Sequence, residues 1–160
     1  MHEIVHNLWL GDRRDAELLA QMTHVAYWTN WQIIAIADYP SNEIPNEPKS
    51  AEILSIFTRE ASPEEGTEWY DSHDLRVDTK VLDYIADNIE RYIERDHSVL
   101  VHCVAGIHRS PLVVAWFLWR RCYFDTLDEA YDYIKSIRPE VERREYWLTS
   151  QNPPEQWWQK

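Results

Sequence analysis

Residues 99–111 read Val-Leu-Val-His-Cys-Val-Ala-Gly-Ile-His-Arg-Ser-Pro. The apolar run 98–101 predicts a short buried strand that ends at His102. Seven residues follow, Cys103 to Arg109, and then an apolar stretch, 110–121, with the length and composition of a buried helix. A loop that feeds a helix start turns several backbone N–H groups toward one point. The helix dipole adds partial positive charge there, so an anion is favoured. Gly106, in the middle of the loop, can adopt backbone angles closed to other residues and lets an anion come close.

Cys103 opens this loop. A helix N-terminus and a nearby cation lower a thiol pKa from ~8.5 into the range ~3.5–7.5, which makes the sulfur a nucleophile at neutral pH. Arg109 closes the loop, and its planar fork binds two oxygens of a tetrahedral phosphate in a way Lys cannot copy. Ser110 can hydrogen-bond the sulfur and help it depart in a second step. Val104, Ala105, Gly106, Ile107 and His108 supply the cradle between them. A bare Cys-x5-Arg spacing also arises by chance, as a buried cysteine at a strand end near a surface arginine. The strand before, the glycine inside, the helix after, and the flanking His102 and Ser110 favour the chemical reading.

Outward from this stretch, strands alternate with helices. Residues 4–5 and 8–10 predict two short strands joined by a turn. Asp12 can cap a helix over 13–22. The β-branched run 33–37 and residues 53–57 predict two more strands, and 40–50 and 58–74 predict loop and polar connection. From about Asp78, itself a candidate cap, Val81, Leu82, Ile85, Ile89, Tyr92 and Ile93 form one apolar stripe at helical spacing. Thr126 and Glu129 form a capping box ahead of a helix that Pro139 ends. A last short helix holds Tyr146, Trp147 and Leu148. The fold class that follows is α/β, a single domain with a central, mostly parallel sheet flanked by helices, over residues 1–150, with 151–160 as a tail.

Composition narrows the partners. The 160 residues carry a net charge of −12, which repels nucleic acid and anionic membrane in the absence of a basic patch. Basic residues cluster only as the short pairs Arg13-Arg14, Arg120-Arg121 and Arg143-Arg144, which read as solvated helix ends. No apolar run approaches the roughly 18 residues of a membrane span, and the first ten residues lack the features of a signal peptide. Two cysteines, Cys103 and Cys122, make no disulfide framework and no zinc pattern. Cys122 reads as structural. His2, His6, His24, His73 and His97 show no metal spacing. A soluble, cytoplasmic protein that needs no metal or cofactor is expected.

The pattern His102-Cys103-x-x-Gly106-x-x-Arg109-Ser110 resembles the dual-specificity branch of the cysteine-based protein tyrosine phosphatases. Asn7-Leu-Trp-Leu-Gly11 with Asp15-Ala16 is similar to that family's opening strand-turn-helix. Asp128-Glu129-Ala130 and Arg138-Pro139 are similar to its closing helix. Residues 38–70 match poorly. The resemblance implies a tyrosine phosphatase-like fold and hydrolysis of phosphate monoesters on phosphoproteins through a phosphocysteine. It also implies a general-acid aspartate about thirty residues ahead of the cysteine. Asp71 lies 32 positions ahead and Asp74 lies 29. Asp71 is favoured, because it follows Trp69-Tyr70 and precedes a small residue. Trp69 is a candidate to line the pocket. Positions 104, 105, 107 and 108 lack the lysines of the family's phosphoinositide enzymes, which favours phosphotyrosine as substrate. A pseudophosphatase that captures phosphoproteins without turnover is the rival reading. Sulfur transferases and arsenate reductases also place a cysteine in an anion loop, but normally with another loop length or further paired cysteines.

Overall fold

The computed structural model describes residues 1–26, 30–36, 51–54, 56–57 and 77–148. Strands β1 (His2–Val5) and β2 (Leu8–Gly11) form the predicted hairpin, antiparallel, with Asn7 in the left-handed region at φ 66°. Helix α1 (Arg13–Ala26) follows. Its start is a reciprocal cap: Asp15 N donates to Asp12 Oδ1 at 2.8 Å and Asp12 N to Asp15 Oδ2 at 3.0 Å. Strand β3 (Trp31–Ile36), strand β4 (Ala51–Leu54), helix α2 (Thr79–Glu94), strand β5 (Ser98–His102), helix α3 (Arg109–Arg120), helix α4 (Leu127–Ile137) and a single 3-10 turn (Glu145–Leu148) complete the described chain.

The sheet has five strands in the order β1-β2-β5-β3-β4, parallel except for the β1–β2 hairpin. Helices cover both faces. Val99 and Val101 of β5 point into the larger core beneath α2, α3 and α4, whereas Leu100 points into a smaller one with Ala16, Leu19 and Ile33 under α1. This is the period-two alternation of a strand buried on both sides. The strand expected over 53–57 differs. Pairing with β3 is described up to Leu54, Ile56 is buried with its carbonyl accepting from Asp78 N at 2.7 Å, and Phe57 makes an isolated bridge to Val77. The apolar pattern there reports burial beside α2, not continued pairing.

Helix α3 is the central element, buried from Arg109 through Trp119. Each large apolar side chain buried in this way contributes about 1.5–3 kcal/mol, so the helix, and with it the loop at its start, is rigidly placed. Its end is a Schellman-type stop. Cys122 N donates to Trp119 O at 3.1 Å and Tyr123 N to Leu118 O at 2.9 Å, with Cys122 at φ 64°. Cys122 is exposed; it shapes the turn and packs in no core. A Cys122→Gly variant is therefore expected to be as stable as the parent or up to about 1 kcal/mol more so, since glycine carries no Cβ penalty at this φ. Urea denaturation checks this.

The basic pairs at helix ends meet acidic neighbours. Arg121 pairs with Asp87 and, at 2.9 Å, with Glu90 of α2, and Arg143 pairs with Asp128 and Glu145. Among the described residues no helix is long and apolar enough to cross a membrane.

Candidate active site

Gly11, Ile36 and His102 are the last residues of β2, β3 and β5, so three parallel strands end at one edge. The loop 103–108 sits on that edge, where open α/β sheets place ligands. Gly106 has φ +69°, and a Cβ there would lie 2.6 Å from Gly11 O. No other residue fits the loop at this position, for steric as well as conformational reasons.

Among the described residues, three of the four α-helices begin on a side chain that caps them: Asp12, Asp78 and Thr126. Helix α3 does not. His108 occupies its cap position without a side-chain capping bond. The place is taken by Cys103, whose sulfur lies 3.2 Å from Ser110 Oγ and beside the backbone N–H groups of Ser110 and Gly106, which favour its charged form. Burial pushes the thiol pKa up. The Arg109 guanidinium, the Ser110 hydroxyl and the two backbone N–H groups outweigh it and hold the pKa below its ordinary value. A sulfur with a lowered pKa thus sits where a helix start would otherwise want a carboxylate.

Arg109 is buried, and its Nη1 donates to Ile36 O at 2.7 Å. The end of β3 therefore orients the guanidinium beside the sulfur. His102 is buried too. Burial first, and then the charges of Arg13 and Arg109, hold its pKa below the ordinary value. Its Nδ1 lies 3.2 Å from Cys103 O, so the neutral ring carries its proton on Nδ1. His108 pairs through Nε2 with Glu142 Oε2 at 2.8 Å. Glu142 also accepts from Arg144 Nη2 at 3.0 Å.

Cys103, Ser110 and Arg109 thus meet at the start of α3, with the sulfur 3.2 Å from Ser110 Oγ and under the influence of the Arg109 charge. Residues 36–150 match the family described as dual specificity phosphatase, catalytic domain. The chain belongs to the dual-specificity phosphatase family. It is 30% identical over 143 residues, 86% of its length, to dual specificity protein phosphatase 16 of Homo sapiens, of which the match covers 18%. The chain thus spans less than a fifth of that relative. Among solved structures, human DUSP28 superposes with a TM-score of 0.63 at 19% identity, covering 92% of this chain and 90% of that one. PTPMT1 in complex with PI(5)P gives 0.65 at 19%, covering 92% and 88%. At such identity these likenesses show the fold alone.

The third expected member of a dual-specificity phosphatase site, Asp71 or its rival Asp74, lies outside the described residues, as does Trp69. Asp78 is described and caps α2, its side chain accepting from Lys80 N at 2.9 Å. Sequence reading overlooked three contributors: Ile36, through its carbonyl, and Arg138 and Glu142, which reach the loop from the far side of the sequence. The one signal for them was Arg138-Pro139, read only as a helix end. Among the described residues no group of three His, Cys, Asp or Glu could hold a metal ion.

Proposed function

We propose that this dual-specificity phosphatase domain is an active enzyme that hydrolyses phosphotyrosine on proteins, and phosphoserine or phosphothreonine that reaches the same loop, through a phosphocysteine. The observation that carries the reading is the stabilised sulfur of Cys103 at the uncapped start of α3, beside Arg109. The Cys103 thiolate attacks phosphorus, and the S–P bond forms as the ester P–O bond breaks. The loop N–H groups and Arg109 hold the non-bridging oxygens as charge moves between them. An aspartic acid, Asp71 before Asp74, protonates the leaving oxygen. Water then attacks the phosphocysteine, the S–P bond breaks, and the Ser110 hydroxyl hydrogen-bonds the departing sulfur. All the positive charge these steps need comes from Arg109 and backbone N–H groups, so no metal is called for.

Substrate choice follows from the loop's lining. Val104, Ala105 and Ile107 offer no cation to a polyphosphorylated headgroup, and the net charge of −12 disfavours anionic membrane and nucleic acid. Although PTPMT1 shares the fold and binds PI(5)P in its crystal, this chain should turn over a phosphotyrosyl peptide with higher kcat/KM than a phosphoinositide, and equally well with and without chelator. Binding of the peptide without release of phosphate would favour the pseudophosphatase reading. A preference for the lipid would overturn the substrate assignment.

The acid is assigned by its dependence on the leaving group. Tyrosine leaves with a pKa of ~10, and a proton delivered during bond cleavage is worth on the order of 10²–10⁴ in rate. Asp71→Asn should slow a phosphotyrosyl peptide by that amount, slow a highly activated aryl phosphate far less, and erase the basic limb of the pH–rate profile. Asp74→Asn should do none of these. The reverse pattern would move the role to Asp74.

A further inference from the structure

An anion loop works only if its N–H groups point inward, and a peptide unit is planar and trans, so each inward N–H requires the carbonyl of the preceding residue to point outward. Outward carbonyls at a buried sheet edge need donors, or they cost about 1–3 kcal/mol each. Every carbonyl from 103 to 107 has such a donor from outside the loop. Cys103 O takes His102 Nδ1, and Val104 O takes Arg13 N at 3.0 Å, at the start of α1. Ile107 O takes Glu142 N at 2.9 Å. Two carbonyls remain, those of Ala105 and Gly106, and one side chain serves both: Arg138 Nη2 donates to Ala105 O at 3.3 Å and Nε to Gly106 O at 3.1 Å.

The placement of Arg138 follows from its neighbours. Pro139 disfavours helical angles in the residue before it. Helix α4 accordingly stops at Ile137, and Arg138 turns off at φ −126°, ψ 86°. Its guanidinium is buried, 5% exposed, with Nη1 3.1 Å from His2 Nδ1 on β1 and Nε 3.5 Å from Glu140 Oε1. It also closes the space beside Gly106, where a Cβ would meet Nη2 at 2.7 Å.

We infer that Arg138 is a positioning residue for catalysis: by holding the Ala105 and Gly106 carbonyls outward it aims the Gly106 and Ile107 N–H groups into the anion site. The Gly106 N–H is among the influences that lower the Cys103 pKa, and Arg138 bonds the carbonyl on the other side of that peptide, so Arg138 acts on the nucleophile through a single peptide plane. This role rests on the reading of 103–109 as a phosphate-binding loop. Arg138 touches neither substrate nor sulfur.

The test uses the full chain carrying Cys122→Ser, because exposed Cys122 would otherwise react as well. Arg138→Met and Arg138→Lys are compared with this parent in two measurements: the pH dependence of Cys103 alkylation by iodoacetamide, and the calorimetric affinity for tungstate. Arg138→Met should move the alkylation midpoint up by about one pH unit, as the sulfur loses an aligned N–H. It should weaken tungstate about tenfold or more, the loss expected for one to two oriented hydrogen bonds. Arg138→Lys, whose ammonium cannot span both carbonyls in the guanidinium's geometry, should fall between, and it decides the matter if the Met variant does not fold. Ile134→Val, a core change in the same helix, should lower thermal stability and leave both readouts at parental values. Folded Arg138 variants with the parental midpoint and tungstate affinity would reduce Arg138 to a tie between α4 and the loop, and would overturn the inference. A parent that binds no tungstate would overturn the anion-loop reading and the inference with it.

Discussion

Cys103→Ser is expected to remove turnover of para-nitrophenyl phosphate and of phosphotyrosyl peptides, by on the order of 10⁶-fold, the scale on which loss of a covalent nucleophile is felt. The sulfur does two jobs that a hydroxyl cannot combine. It lies against the Ser110 hydroxyl at the start of α3, and its pKa is held below the ordinary value, because Arg109, that hydroxyl and the Ser110 and Gly106 N–H groups outweigh its burial. A serine hydroxyl, with a far higher pKa, accepts the same bonds but stays protonated at any pH the fold tolerates. The anion site itself remains. Peptide affinity measured by calorimetry should therefore be retained or rise, since the thiolate no longer repels the phosphate dianion. Residual turnover of even one part in a hundred, in protein free of wild-type contamination, would sink the phosphocysteine mechanism.

Arg109→Lys is the second large effect. An arginine that stabilises charge on a transferring phosphoryl group is worth roughly 10³–10⁵ in kcat, and the lysine restores charge without the fork. Arg109 is also anchored by the 2.7 Å bond from Nη1 to Ile36 O. A lysine ammonium drawn to that carbonyl would sit away from the phosphate. We expect kcat to fall about 10³-fold or more, with a smaller rise in KM, because bidentate contacts strengthen most as charge develops. A wild-type kcat in Arg109→Lys would place the clamp elsewhere. A further consequence separates charge from geometry. Since the Arg109 charge is the first of the influences that lower the Cys103 pKa, Arg109→Met should shift the alkylation profile of Cys103 to higher pH, and Arg109→Lys should shift it less.

The catalytic loop was legible because its chemistry is local. Strand, six residues and helix follow without interruption from Ser98 to Arg120, so chain connectivity alone brings Cys103, Gly106, Arg109 and Ser110 around one point. Helix caps are local as well, and Asp12, Asp78 and Thr126 each bond a backbone N–H within three residues. Strand limits were less legible. Alternating or continuous apolar residues report burial, and the apolar residues of 53–57 are found both where β4 pairs with β3 and where Ile56 is buried beyond that ladder, its carbonyl bonded to Asp78 N. Cys122, read as a structural residue at the end of an apolar helix, is an exposed residue in a left-handed turn, because the Schellman stop turns the chain away from the core one residue earlier than hydrophobicity suggests.

What the sequence determined by itself, then, is the order Cys103, Gly106, Arg109 and Ser110 between a strand and a helix, and the succession of strands and helices around it, all set by neighbours along the chain. Only the tertiary structure decided what holds the cradle open. Arg138 lies 32 residues from Gly106 in the chain and bonds its carbonyl at 3.1 Å. Arg109 lies 73 residues from Ile36 and bonds its carbonyl at 2.7 Å. Backbone carbonyls carry no residue identity, so no sequence pattern marks which one a distant arginine will meet. That is fixed when β3 and β5 pair in register and α4 packs against α3, which brings the ends of separate elements to one sheet edge.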